Sequence, residues 1–317
     1  MFRGSINEIE YVKQMEGLSV LCREIREMHK SYEYIQGRRI KKLRSYMKSG
    51  LRGLGHGIVT KCKDSYGWKQ IRRNACPIIR PRREKELPNY FSDERIAVYT
   101  CIFGRYDIIQ KPICYPDNID YYIITDLEMN ENCGWKKFDI SKFESQLEGM
   151  SNIEKNRWFK MHPHEVFSDY RYSVYVDGNV VPVTDFTEFV NRIGSCGIAM
   201  YWHSPNNCIY QEALQNRYIV RKISPKEVDQ QVEYLKSNGM PENYGMTTCN
   251  VIARDHTNQI CMKLMDDWWT EFMAHCKRDQ LSFPYVAWKN NINMADIAVL
   301  GDDVWNTDAL LVVQHTD

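Results

Sequence analysis

From residue 96 onward, short continuous apolar runs alternate with longer segments of helical spacing. Residues 96–103, 119–125 and 135–140 read as three strands, and 151–167 as a helix. A strand over 172–176 ends at Asp177-Gly178-Asn179; a helix over 184–193, a strand over 197–202 and a helix over 208–222 follow. Ser224-Pro225-Lys226-Glu227 has the make-up of a helix start, with Ser as cap, Pro in first position and Glu in third. A strand over 248–254 and an apolar helix over 259–276, carrying Trp268 and Trp269, complete the series. Strands separated by helices predict an α/β fold with a mostly parallel sheet covered on both faces. Such sheets bind ligands beyond the carboxyl ends of their strands. That rule singles out residues 104–107, Asp126 and residues 177–179.

The first ninety residues follow a different pattern. Leu18, Leu21, Ile25, Met28, Tyr32 and Ile35 recur at steps of three and four, the seam of an amphipathic helix over 6–36 able to pair with a second copy or with the following domain. From Arg38 to Arg83 the cations have one acidic companion, Asp64, and Leu43, Tyr46, Leu51 and Ile58 lie among them. A basic amphipathic stretch of this kind suits an anionic membrane surface, each cation near it contributing about 1 kcal/mol. A linker or intramolecular docking is the open alternative, with nucleic acid the least favoured. Pro77, Pro81 and Pro88 then divide a basic, largely helical region, 1–90, from a domain over 91–317.

Composition sharpens this division. The 317 residues carry a formal net charge of +1, yet residues 1–90 hold about 21 basic and 9 acidic side chains. The balance conceals a basic front and an acidic remainder. With 43% apolar residues, disordered, collagen-like and purely coiled-coil classes are excluded. No apolar run approaches the length of a membrane span, and the first residues lack the apolar centre of a signal peptide. Eleven cysteines with no CxxC pair point to free thiols in a reducing compartment. The expected location is therefore cytoplasmic, peripheral on the inner face of a membrane if the basic stretch binds one.

Four clusters offer chemistry. Asp177-Gly178-Asn179 places a carboxylate and an amide on a tight turn, hard oxygen ligands suited to Mg²⁺ or Mn²⁺ completed by substrate phosphates, although Asp-Gly and Gly-Asn also make ordinary turns. Arg157, Lys160 and His164 fall on one helical stripe that can neutralise a diphosphate or simply face solvent. His203 stands where a strand gives way to a loop, a place for a site residue or for a structural histidine. Asp279, after the long apolar helix, is placed to act as general base, to orient a hydroxyl, or to pair with Arg278. There is no Walker loop, GxGxxG, HExxH or GxSxG, which removes the usual signatures of NTPases, nicotinamide enzymes, zinc proteases and lipase-type hydrolases.

In order, the run from Ile96 to Asp107, Asp120 to Asp126, Lys155-Asn156-Arg157-Trp158-Phe159-Lys160, Tyr175 to Asn179, His203 to Glu212 and Arg278-Asp279-Gln280 with Ser282-Phe283 resembles a glycosyltransferase-like family. That family, of plants and bacterial polysaccharide clusters, was long catalogued as a domain of unknown function, and the likeness covers roughly residues 93–290. The resemblance implies a GT-A-type fold, a nucleotide-sugar donor, and transfer of a hexose-like sugar to a glycan or lipid-linked acceptor in surface polysaccharide synthesis. It further implies that Thr100, Gly104, Arg105, Tyr106, Asp107 and Asp126 face the donor together with Lys155, Arg157, Lys160, Asp177 and Gly178. Asp177 and Asn179 would stand in the DxD position as ligands of Mn²⁺ or Mg²⁺, with Asn in place of the second acid. His203 and Asp279 would lie beside the donor sugar and acceptor as the catalytic pair. A non-catalytic glycan- or nucleotide-binding protein of the same fold is the alternative.

Overall fold

A computed structural model describes residues 50–75, 78, 80, 93–307 and 309–313. Residues 6–36, and with them the expected pairing helix, lie outside the described residues, as does much of the basic stretch.

The strand β1, Ile96–Ile102, is buried along its whole length, which its unbroken apolar run requires: it has neighbours on both edges and cover on both faces. It pairs in parallel with β2, Ile119–Thr125, and with β4, Tyr172–Val176; β2 in turn carries the short edge strand β3, Lys136–Lys137. Only those two residues of the strand expected over 135–140 join the ladder. Beyond β4 lie β7, Thr247–Asp255, and β6, Ile198–Trp202, giving the order β3-β2-β1-β4-β7-β6. The sheet is mixed and mostly parallel, as the alternation predicted, with β7 alone running against its neighbours. The reversal has a simple cause. The excursion between β6 and β7 never crosses the sheet: it leaves at His203 and returns at Met246, whose carbonyl accepts the His203 backbone N–H at 2.9 Å. A chain that comes back to the end it left must enter antiparallel. A small second sheet pairs β5, Val180–Pro182, with β8, Leu310–Val312.

Residues of β1 alternate between two cores. Ala97, Tyr99 and Cys101 pack with α2, Asn152–Met161, and α5, Gln259–Ala274. Ile96, Val98 and Ile102 pack on the opposite face with Phe186, Phe189 and Val190. The capping box read at Ser224 is formed: its hydroxyl accepts from Glu227 N–H and starts α4, Pro225–Ser237. The helix expected over 208–222 divides into α3, Ile209–Gln215, and a π-helical turn, Asn216–Val220, closed by Arg221 in the left-handed region at φ 54°.

The basic helix α1, Gly50–Arg73, docks on that π-helical turn. A β-carbon on Gly67 would stand 2.6 Å from Tyr218 Cβ, so only glycine permits this approach. Ile71 is buried, its carbonyl accepts from the Gln211 side chain at 3.4 Å, and Arg221 pairs with Asp64 at 2.9 Å. Intramolecular docking is thus one use of the basic stretch. No helix among the described residues is long and apolar enough to cross a membrane.

Candidate functional site

At the carboxyl end of β4 the Asp177 N–H donates to Asn250 O of β7, and the Val180 N–H returns to Asp177 O, closing the bend at 177–180. Gly178 sits so close to β1 that a β-carbon would lie 2.9 Å from Ile102 Cγ1 and 3.1 Å from Asp107 Oδ2. This approach sets the bend against the turn that follows β1. Gly104 and Arg105 are both left-handed there, at φ 69° and 62°. The Gly104 N–H is held by both Asp126 oxygens, at 3.1 and 3.2 Å.

A second capping box, Ser151 with Glu154, fixes the start of α2, and the Asn156 amide ties it to β1 through Cys101 O at 2.6 Å. Arg157 and Lys160, three apart, therefore aim at one spot. Lys160 is wholly buried, with Nζ 2.8 Å from Asp279 Oδ2, 3.5 Å from Asp177 Oδ1 and 4.8 Å from the centre of the Tyr175 ring. Arg157 Nε reaches the same Asp279 oxygen at 2.9 Å, and Arg278 approaches the other at 3.8 Å. The Tyr175 hydroxyl donates to Asp177 Oδ1 at 2.8 Å.

The electrostatics follow from this packing. Burial would raise the Asp279 carboxyl, but Arg157, Lys160 and Arg278 outweigh it and hold it far below the usual carboxylate range. Burial also opposes charge on Arg157, and Asp279 overcomes that to keep the guanidinium protonated. Burial pushes up the Tyr175 phenol, with the Asp177 charge adding to it, and keeps the Cys101 and Cys249 thiols neutral. Neither cysteine is a nucleophile.

These groups form the floor of a cleft of about 1060 Å³. Of the residues picked out in the sequence, Gly104, Tyr106, Asp107, Arg157, Asp177, Gly178, Asn179, His203 and Asp279 line it. Thr100, Arg105, Asp126, Lys155 and Lys160 do not. Thr100 is buried within β1, Asp126 supports the Gly104 turn, and Lys160 lies beneath the floor. His164 leaves the stripe altogether, because Pro163 starts a new short helix, and approaches Asp266 at 3.5 Å. His203 Nδ1 is 3.0 Å from Asn206 O, so it carries the proton, and Nε2 lies 3.7 Å from Glu212. Sequence reading assigned no role to Glu212, Lys222, Asn250, Gln280 or Trp305, all of which line the cleft. Glu212 falls within the block from His203, but nothing in the spacing marks it as buried beside that histidine.

A divalent ion at Asp177 and Asn179 is a limited fit. Asp177 Oδ1 is already engaged by Tyr175 and Lys160. Asn179 donates its amide to Val313 O at 2.9 Å and leaves a buried Oδ1 without a partner. No group of three or more metal-ligating side chains occurs among the described residues. One carboxylate oxygen and one orphaned amide oxygen suit only a cation that draws its other ligands from water and a phosphate-bearing substrate.

Comparison with known families covers the ordered blocks from residue 155 onward and not those at 96–107 and 120–126. Residues 152–307 match the family described as TOD1/MUCI70, glycosyltransferase-like domain. No curated protein matches. Among the solved structures that do, an apo bifunctional glycosyltransferase, WbbM, is similar at TM-score 0.38 and 11% identity, over 65% of this chain. This chain spans 39% of that protein's length. The galactosyltransferase LgtC, solved with donor and acceptor sugar analogues, has TM-score 0.35 and 9% identity over 63% of this chain and 71% of its own. Mouse xyloside xylosyltransferase 1 in apo form has 0.38 and 9% over 61% and 80%. Overlaps this loose carry no argument about substrates. The family match reaches from the start of α2 to the loop before β8, so the likeness to the TOD1/MUCI70 glycosyltransferase-like domain covers just under half of the chain.

Proposed function

We propose that this chain is a nucleotide-sugar-dependent glycosyltransferase that passes a hexose-like sugar to a glycan or lipid-linked saccharide acceptor in surface polysaccharide synthesis. The observation that carries the reading is the cleft beyond β1 and β4, whose floor sets Arg157 beside Asp177 and Asp279. Cleaving the anomeric C–O bond of such a donor expels a nucleoside diphosphate, and negative charge grows on its oxygens. A cation already fixed in place stabilises that charge more in the transition state than in the ground state. Arg157, its side chain 20% exposed, is the cation that faces the donor. Lys160, held beneath, sets the positions of Asp177 and Asp279. Mn²⁺ or Mg²⁺ bound at Asp177 and Asn179 would supply further charge to the departing diphosphate.

A carboxylate held this far below its usual range is a weak base. Asp279 therefore orients the acceptor hydroxyl, and the proton goes to the departing phosphate, as in a retaining transfer. His203, its Nε2 3.7 Å from Glu212, lies at the acceptor side of the sugar. The basic stretch at 38–83 brings the chain to an anionic inner membrane face, and residues 6–36 pair two copies. Vesicle sedimentation and light scattering on chains lacking those residues test these two points.

The decisive experiment screens nucleotide sugars by thermal shift and then follows donor hydrolysis with and without Mn²⁺. Stabilisation by one donor with turnover is the expected result. Binding of donors with no turnover under any condition would instead identify a non-catalytic binding protein of the same fold, a reading favoured by the amide at 179 and the engaged Asp177 oxygen.

A further inference from the structure

Lys222 and Lys277 line the cleft on one side and a second hollow, of about 720 Å³, on the other. The helix α1 walls this hollow, together with the π-helical turn and the first turn of α4. Five basic side chains face it and one acid, Glu227. Three of the five are neutralised by carboxylates: Arg217 by Asp229, Arg221 by Asp64 at 2.9 Å and Lys277 by Glu154 at 3.3 Å. The other two are not. Lys63 has no ion pair among the described residues, and Lys222 has only the phenol oxygen of Tyr106, at 2.7 Å.

Between these ammonium groups the hollow presents apolar surface to water. Tyr66 is 56% exposed and Ile153 57%, and the Tyr66 ring is braced edge-on by Tyr218 at 5.8 Å. Unmatched cations beside rigid apolar patches suit a pyranose ring that bears an acid. The C–H face of the ring covers Tyr66 or Ile153 while the anion meets an ammonium. An inorganic anion would leave the apolar patches wet, and a flat bilayer does not fill a recess. The recess also opens into the cleft past Lys222, so one extended molecule reaches both.

We infer that this hollow binds the acidic part of the acceptor, a saccharide bearing carboxylate or phosphate groups, whose reacting hydroxyl enters the cleft past Lys222. The word acceptor rests on the transferase reading above; the acidic-saccharide site does not.

The test measures binding to the full chain, without donor, of a short oligouronate, its carboxyl-reduced neutral form and a phosphorylated mannan fragment. The oligouronate or the phosphorylated fragment binds at least tenfold more tightly than the neutral form, and whichever does so names the source of the charge. Lys63→Glu with Lys222→Glu weakens that binding about tenfold or more, because both cations are replaced by repelling charge. Lys226→Glu, on α4 but outside the hollow, leaves it unchanged. Equal affinity for the neutral probe, or an equal loss in Lys226→Glu, overturns the proposal. So does a double variant that loses binding to phosphatidylglycerol vesicles but to neither saccharide. Donor hydrolysis is read separately: an inactive chain that still discriminates the acidic probe keeps the site and removes only the transferase reading.

Discussion

The floor of the cleft and the hollow beside it are both rich in cations, and they use them in opposite ways. At the cleft floor Lys160 is wholly buried and Arg157 only partly exposed, and the two share one carboxylate oxygen, that of Asp279. In the hollow, Lys63 and Lys222 are exposed and have no carboxylate partner among the described residues. A buried ammonium needs a fixed counter-charge, because its desolvation is otherwise too costly; an exposed one does not. The matched set therefore holds groups in place, whereas the unmatched set is left to a ligand.

The sharpest way to break this contrast is to remove a member of the matched set. Lys160→Met leaves Asp279 with one close cation instead of two, and the loss of a buried partner costs about 3–5 kcal/mol of stability. Chemical denaturation should register it; a change within error would mean that the floor is not electrostatically coupled. Next in size is Asp177→Ala, whose side chain is 24% exposed in the cleft. Removing the carboxylate that would hold a cation against the developing charge should lower transfer about 10²–10³-fold while the melting temperature stays close to normal. Turnover near the parent's would take Asp177 out of the site.

Ile71→Ala probes the docking of α1, which closes the hollow. Truncating a buried isoleucine costs about 2 kcal/mol or more, and proteolysis within α1 should quicken while donor binding in the cleft is unaffected. Equal loss of donor binding would show that the two regions are one unit.

A partly buried imidazole supplies the pH counterpart. The His256 imidazole, 2.8 Å from Ser173 Oγ, is lowered to about 3, first by burial and then by the Arg254 charge. In the folded chain it stays neutral, while the unfolded chain takes up its proton below about 6.5. Stability is thus complete above that pH and falls as the solution is acidified toward 3, by about 1.4 kcal/mol per pH unit. His256→Gln should flatten this slope. Asp279 has the same sign, but its contribution begins to fall only below the unfolded carboxylate's value of about 3.9 and goes on falling toward its depressed folded-state ionisation. The smallest effect belongs to the hollow: Lys63→Gln should leave stability unchanged within about 0.5 kcal/mol. It should also reduce the salt dependence of anionic-saccharide binding, because one fewer exposed cation is screened.

Much of the sheet was legible because burial on both faces writes continuous apolar runs, as in β1, and capping chemistry is local, as at Ser224. The reversed strand β7 was not legible: direction depends on where the excursion from residue 203 to 246 returns, and no periodicity records that. Arg157 and Lys160 were correctly placed on one stripe, but nothing in their spacing separates the exposed cation from the buried one. Nor does it show that both meet Asp279, more than a hundred positions away. Thr100 and Asp126 belong to the right blocks yet serve the scaffold, since strand interiors and turn supports share sequence neighbourhoods with the cleft. Glu212 and Trp305 gave no signal because their position is purely tertiary.

The Asn179 amide finds its acceptor at Val313, 134 positions downstream, and the Val313 N–H returns to Asn179 O at 2.8 Å. A nascent chain can thus lay down every strand of the main sheet and still lack the stitch that fastens this bend. Ribosome-bound fragments halted before β8 should be protease-resistant in the sheet yet deaf to nucleotide sugars, so ligand competence arrives as a late step in biogenesis rather than with the core.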